Sequence, residues 1–195
     1  MRAPALLVVP AVLIALYGLT TLAAPGIGAP FLVDRFATLR IPTMAHLFAG
    51  PLALAAGALQ FSGRLRTERP QLHRRLGWAY AVSVLISGIA GLFMARVSEG
   101  GAITHWGFGL LAVSWLVTTA MAVRAITRGD VDMHQRWMTR SYSLTFAAVT
   151  LRILLPIGLA AGFPFEAVYR FASWAAWVPN LAAVEWWRRR GGSPA

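Results

Sequence analysis

Cysteine is absent from this 195-residue chain, which excludes disulfides, thiolate metal sites, iron–sulfur clusters and covalently attached c-type haem. Charge is scarce as well: 13% of the residues are charged, and 18 basic side chains stand against 7 acidic ones for a net charge of +11. The chain has no Walker loop, no G-x-S-x-G, no H-E-x-x-H and no carboxylate pair at catalytic spacing, so hydrolase and nucleotide-driven pump chemistry lacks support. The basic excess does not indicate nucleic acid, because the arginines fall in short connections between apolar runs rather than in a stripe or tail. Low-complexity segments and long linkers are missing too. Histidine, carboxylate and backbone groups remain as possible ligands.

What the chain does have is apolar length. Hydrophobic residues make up 57% of it, with 8 tryptophans, and six runs stand out at about 5–23, 43–61, 76–95, 106–126, 139–160 and 171–187. Lipid offers no partners to backbone polar groups, and the runs are too long for barrel strands. The fold class expected is therefore all-α, a polytopic membrane helical bundle forming one integral domain over 1–195. The first run reads as an uncleaved span, since it is longer than a signal core and Pro25 after Ala24 would make a poor cleavage site. The last run is the weakest, being short and carrying Pro179, Asn180 and Glu185. Trp174, Trp177, Trp186 and Trp187 mark its ends as an interfacial belt.

Arginine sets the expected orientation. The connection after span two holds Arg64, Arg66, Arg69, Arg74 and Arg75; that after span four holds Arg124, Arg128, Arg136 and Arg140; the tail holds Arg188, Arg189 and Arg190. The other connections offer Arg35 and Arg40, then Arg96, then Arg170. The positive-inside rule puts both termini in the cytoplasm and leaves the Pro/Gly-rich "APGIGAPF" as an outer loop.

The four histidines are the most informative residues. His46 follows Pro42, His73 follows Pro70, His105 follows Gly100 and Gly101, and His134 follows Asp130 and Asp132. Proline and aspartate favour the first turn or cap of a helix, so one histidine should open each of spans two to five. Successive helices run antiparallel, which places His46 and His105 at the outer level and His73 and His134 at the inner level, on the order of 25 to 30 Å apart. Two such pairs have the layout for axial ligation of two b-type haems, one near each face. Arg74, Arg75, Arg136 and Arg140 then become partners for haem propionates, and Trp137 a surface for the macrocycle. A lone interfacial histidine is more often an anchor than a ligand, and histidine also binds zinc and copper.

The run from "HLFAGPLALAAGALQF" through "HRRLGWAY" and "HWGFGLLAVSW" to "GDVDMHQRWMTRSY" resembles a bacterial family of multispan membrane proteins known only as a predicted membrane domain of unknown function. The resemblance covers residues 42 to about 156, and its specific parts are "HRRLGW" and "GDVDMHQRWMTRSY". It implies a topology, and with it a bacterial inner-membrane location. The histidine layout is similar to that of the cytochrome b five-sixty-one superfamily, six-helix di-haem electron carriers with a four-helix core. That similarity implies His46 with His105 for an outer haem and His73 with His134 for an inner one. The second histidine that often follows the span-three ligand is missing, as is the lysine and arginine pattern of an ascorbate site. Quinol or another membrane reductant stands beside ascorbate as donor.

Arg152, inside span five, would cost about 2.5 to 3.5 kcal/mol if left unpaired in lipid. It is expected to face the bundle and either contact an outer haem propionate, an anion or a quinone, or cap a short helix by snorkelling to the outer interface, with irregular helix near Pro156. Gln60 and Tyr142 read as helix cross-links, and Glu166 and Glu185 as surface or interfacial residues. The leading expectation is transmembrane electron transfer, with the bilayer, a membrane quinone, a periplasmic or cytoplasmic redox protein and a second copy of the chain as candidate partners. Its competitors are a transporter or metal-handling protein and a non-catalytic membrane scaffold.

Overall fold

The computed structural model of the chain describes residues 3–24 and 38–190. The "APGIGAPF" connection beyond Ala24, with Pro25 and Arg35, lies outside the described residues. Among those described there is no strand, and the helices are α1 (Ala3–Ala23), α2 (Arg40–Gln60), α3 (Gly63–Glu68), α4 (Pro70–Ala95), α5 (Ala102–Thr127), α6 (Val131–Thr145), α7 (Ala147–Ala160), α8 (Phe165–Ala175) and α9 (Val178–Arg189). Among the described residues, four stretches are long and apolar enough to cross a membrane: α2, α4, α5 and the run 131–160 made of α6 and α7. These are the second to fifth apolar runs, so the protein is an all-helical polytopic membrane protein. Exposed apolar side chains such as Phe48, Trp106, Ile153 and Phe171 suit contact with lipid tails.

The last run is not one helix. It divides into α8 and α9, of 11 and 12 residues, each about 17 Å long against a hydrocarbon core of about 30 Å. Pro179 is the cause: it occupies the first turn of α9, where its missing N–H costs nothing, and it cannot continue α8.

The chain forms two compact units, residues 1–94 and 95–194. In the first, α1 packs along α2 through a stripe of small residues, Ala11, Ala15, Gly18 and Thr21, all buried. A Cβ on Gly18 would sit 2.7 Å from Cγ of Pro51, so only glycine allows this approach. Between helices in lipid, attraction comes from such close contact rather than from hydrophobic burial. Two polar ties join α2 to α4, one at each end. His46 Nδ1 lies 3.0 Å from the Ser87 carbonyl oxygen, and Gln60 Nε2 donates to the His73 carbonyl at 3.3 Å. Gln60 is thus the helix cross-link that its sequence position suggests.

In the second unit, α5 and α6 form an antiparallel hairpin. Its turn follows from "RGD": Gly129 has φ +77°, the Gly129 and Asp130 N–H groups donate back to the Ile126 and Ala125 carbonyls, and the Asp130 carboxylate caps α6 by accepting from Met133 N–H at 2.9 Å. This closes one helix and opens the next within three residues. Along the hairpin, Trp115 Nε1 donates to Thr145 Oγ1 at 2.9 Å, and the Thr119 and Ser141 hydroxyls lie 2.6 Å apart.

The interruption in span five falls at Phe146, not at Pro156, which stays inside α7. The preceding segment "TRSYSLT" explains the position. Thr139, Ser143 and Thr145 each donate to a carbonyl three or four residues back, and such side-chain competition bends helices. Asn180 of α9 repairs the polar ends: its amide donates to the Ser143 carbonyl at 3.3 Å, Thr150 Oγ1 at 3.0 Å and the Ala176 carbonyl at 2.9 Å. On the other side, α8 lies against α5, with Phe108 and Tyr169 rings 5.3 Å apart and Trp174 Nε1 donating to the Ile103 carbonyl at 3.1 Å.

Candidate functional site

Each histidine lies in the first two turns of its helix, as the sequence spacing predicts, since the helices begin at Arg40, Pro70, Ala102 and Val131. All four are half-buried, so none is a solvated surface residue. Their ring nitrogens are held in different ways.

His46 Nδ1 is 3.0 Å from both the carbonyl oxygen and the hydroxyl oxygen of Ser87. A carbonyl only accepts, so the tautomer that satisfies it carries hydrogen on Nδ1 and a lone pair on Nε2. Ser87 is fully buried, and Gly50 keeps the hydroxyl's surroundings open, since a Cβ there would lie 3.3 Å from Ser87 Oγ. His134 repeats the pattern: Nδ1 is 2.9 Å from the Ala122 carbonyl, which again puts the lone pair on Nε2. His105 is held the other way round, with Nε2 3.1 Å from the Ser98 carbonyl seven residues earlier. Its lone pair is therefore on Nδ1. The segment before it is a compact turn in which Ser98 Oγ donates to Thr104 Oγ1 at 3.0 Å, and Gly100 and Gly101 adopt φ +90° and +71°. The His73 backbone carbonyl accepts from Gln60.

Among the described residues no group of three or more histidine, cysteine or carboxylate side chains gathers at metal-binding distance. Haem ligation needs one or two axial imidazoles, so the donor set relevant to it is the individual ring. A ligating histidine usually gives its second nitrogen to a carbonyl or carboxylate, which orients the ring and raises its basicity. His46 and His134 meet that requirement through Nδ1, and His105 meets it in the reversed sense.

The arginines separate into classes. Arg74, Arg75 and Arg136 are exposed. Arg140 is engaged: its Nε and Nη2 contact the two carboxylate oxygens of Glu185 at 2.5 and 3.0 Å, and its Cζ lies 4.7 Å from the centre of the Trp137 ring. Trp137 thus packs against a guanidinium. Glu185, an interfacial residue by sequence, is the partner of Arg140 across 45 positions, a pairing that no local pattern announces. Half-buried Arg152 donates from Nη1 to the Ala148 carbonyl at 3.0 Å, one turn back on its own helix. Tyr142 is buried, its ring 6.4 Å from that of Phe146.

Comparison with known proteins gives one match. The family described as "Predicted membrane protein (DUF2306)" matches residues 43–188. No curated protein and no solved structure matches the chain.

Proposed function

The chain belongs to the DUF2306 family of predicted membrane proteins, whose description names no activity, and we propose that it is a transmembrane electron carrier that holds b-type haem through its histidines. The observation that supports this reading is the hold on His46 and His134. Each ring is fixed by a main-chain carbonyl, of Ser87 or of Ala122, which makes Nε2 the basic nitrogen of the ring, the kind of atom that an iron centre takes. About two haems per chain are expected, drawn to His46, His73, His105 and His134.

Bound haem would supply one-electron exchange between ferric and ferrous iron. The chain's own part is to orient the rings, to exclude water with its apolar helices, and to offer cations to carboxylate groups. Exposed Arg74 and Arg75, next to His73, and exposed Arg136 suit that last task. Arg140 suits it less than its sequence position implies, because Glu185 already occupies its guanidinium fork. The arginine excess favours a bacterial inner membrane with both termini cytoplasmic. Electrons would then come from a membrane quinol or a redox protein at either face, and a second copy of the chain is a candidate partner.

The test is haem content in variants purified from cells with ample haem supply. His46→Ala and His134→Ala should each lower the pyridine-haemochrome count by about half, each removing a different spectral component. Two histidines that serve the same haem should lose no more together than either does alone. Full haem content in both single variants would overturn the assignment.

A further inference from the structure

The C-terminal unit carries a cluster of cations with too few anions. Arg136 and Arg140 stand one turn apart on α6, Glu185 and Arg188 one turn apart on α9, and the two helices are in contact. Glu185 holds Arg140 through both carboxylate oxygens. Arg188 Nη1 is buried and makes no hydrogen bond among the described residues. Burial is the main influence that holds the Arg188 guanidinium below its ordinary pKa; facing Arg140 and Arg136 push the same way, and Glu185 opposes them. Arg140, Arg188 and Arg189 therefore all act on the Glu185 carboxylate, Arg136 adds repulsion at Arg188, and one Arg188 donor is withdrawn from water with nothing to bond.

A buried unbonded donor on a charged group is costly, more so beside two like charges. A tetrahedral oxyanion would relieve both penalties, because guanidinium forks match phosphate oxygens bidentately. We infer that Arg188 and Arg136, beside the Arg140–Glu185 pair, form a binding site for a phosphate oxyanion, from an anionic lipid headgroup or from free phosphate. The position fits either source. The cluster lies between the middle of α6 and the end of α9, and basic pockets between membrane helices take anionic headgroups. Arg136 also figures in the haem reading, whereas Arg188 does not, so Arg188→Gln tests this site apart from haem.

The experiment is thermal unfolding of the full chain in nanodiscs. One series replaces phosphatidylcholine stepwise with phosphatidylglycerol. A second keeps phosphatidylcholine and adds inorganic phosphate against chloride at equal ionic strength. A site of this kind should raise the midpoint by about 2–4 °C in one series or both; the responding series identifies the source. Arg188→Gln and Arg136→Gln should abolish the rise, while Arg69→Gln, an exposed arginine on another connection, should keep it. Arg136 is exposed, so its variant remains informative if Arg188→Gln fails to fold. No rise in either series, or an equal loss in Arg69→Gln, would overturn the inference.

Discussion

Gly107→Val should destabilise the C-terminal unit by about 2–3 kcal/mol, the usual cost of forcing extra methyl groups into a closed contact. A Cβ at position 107 would meet Ser173 Oγ at 2.6 Å and both Ser173 Cβ and its backbone oxygen at 3.0 Å. The hydroxyl can rotate away, but the Cβ and the backbone oxygen cannot, so α5 and α8 must separate. That separation would also loosen the Trp174–Ile103 hydrogen bond and the Phe108–Tyr169 ring contact. Thermal unfolding in detergent should show a midpoint lowered by about 5–10 °C. Ser173→Gly should rescue part of the loss in Gly107→Ala, where a single methyl group is the whole obstruction. Wild-type stability for Gly107→Val would mean that the two helices are not in contact.

Asn180→Leu should be nearly as damaging, for a polar reason. The two amide hydrogens of Asn180 are shared among the Ser143 carbonyl, Thr150 Oγ1 and the Ala176 carbonyl, all within hydrogen-bond distance of Nδ2, and Thr150 Oγ1 can also donate to Oδ1. Leucine has about the same size and none of the donors. Interhelical hydrogen bonds in membrane proteins are worth about 0.6 kcal/mol each on average, but a carbonyl left unbonded at a helix interruption costs about 1–3 kcal/mol. A loss of about 2–3 kcal/mol is expected, with amide hydrogen exchange accelerating first around Phe146. Asn180→Gln should retain less than half of the loss if the longer amide reaches the same acceptors. Unchanged exchange near Phe146 in Asn180→Leu would show that the interruption does not depend on α9.

The legibility of this protein in its sequence follows the range of each interaction. Helix starts at Pro70 and after Asp130 rest on residues within one turn, and they place His73 and His134 correctly. The closing Gly129 belongs to the same local grammar. So does the cross-link by Gln60, a polar residue at the end of an apolar run that has to find a partner. The division of the last run is foreshadowed by Pro179, although length and hydropathy alone make it a span. The interruption at Phe146 is harder to read. It comes from serine and threonine side chains bonding their own backbone, and Pro156, the more obvious irregularity, leaves α7 unbroken.

Long-range partners are not legible at all. Nothing near Arg140 points to Glu185, and nothing near His46 points to Ser87, 41 residues away. The ring orientation of His105 also escapes the sequence, because the turn from Ser98 to Thr104 must close before its carbonyl meets Nε2. For the stretch "GDVDMHQRWMTRSY", the glycine and first aspartate make the turn, the histidine grips the Ala122 carbonyl, and Arg140 grips Glu185. Much of that polarity holds the hairpin together. What it leaves over for chemistry is the second nitrogen of His134 and the exposed guanidinium of Arg136.

The most direct measurement is a reduced-minus-oxidised visible spectrum of the purified chain, with a pyridine-haemochrome assay to count haem. Sharp b-type bands and about two haems per chain are expected. A colourless protein after expression with adequate haem supply would contradict this expectation, and would leave the carbonyl-held histidines as helix cross-links.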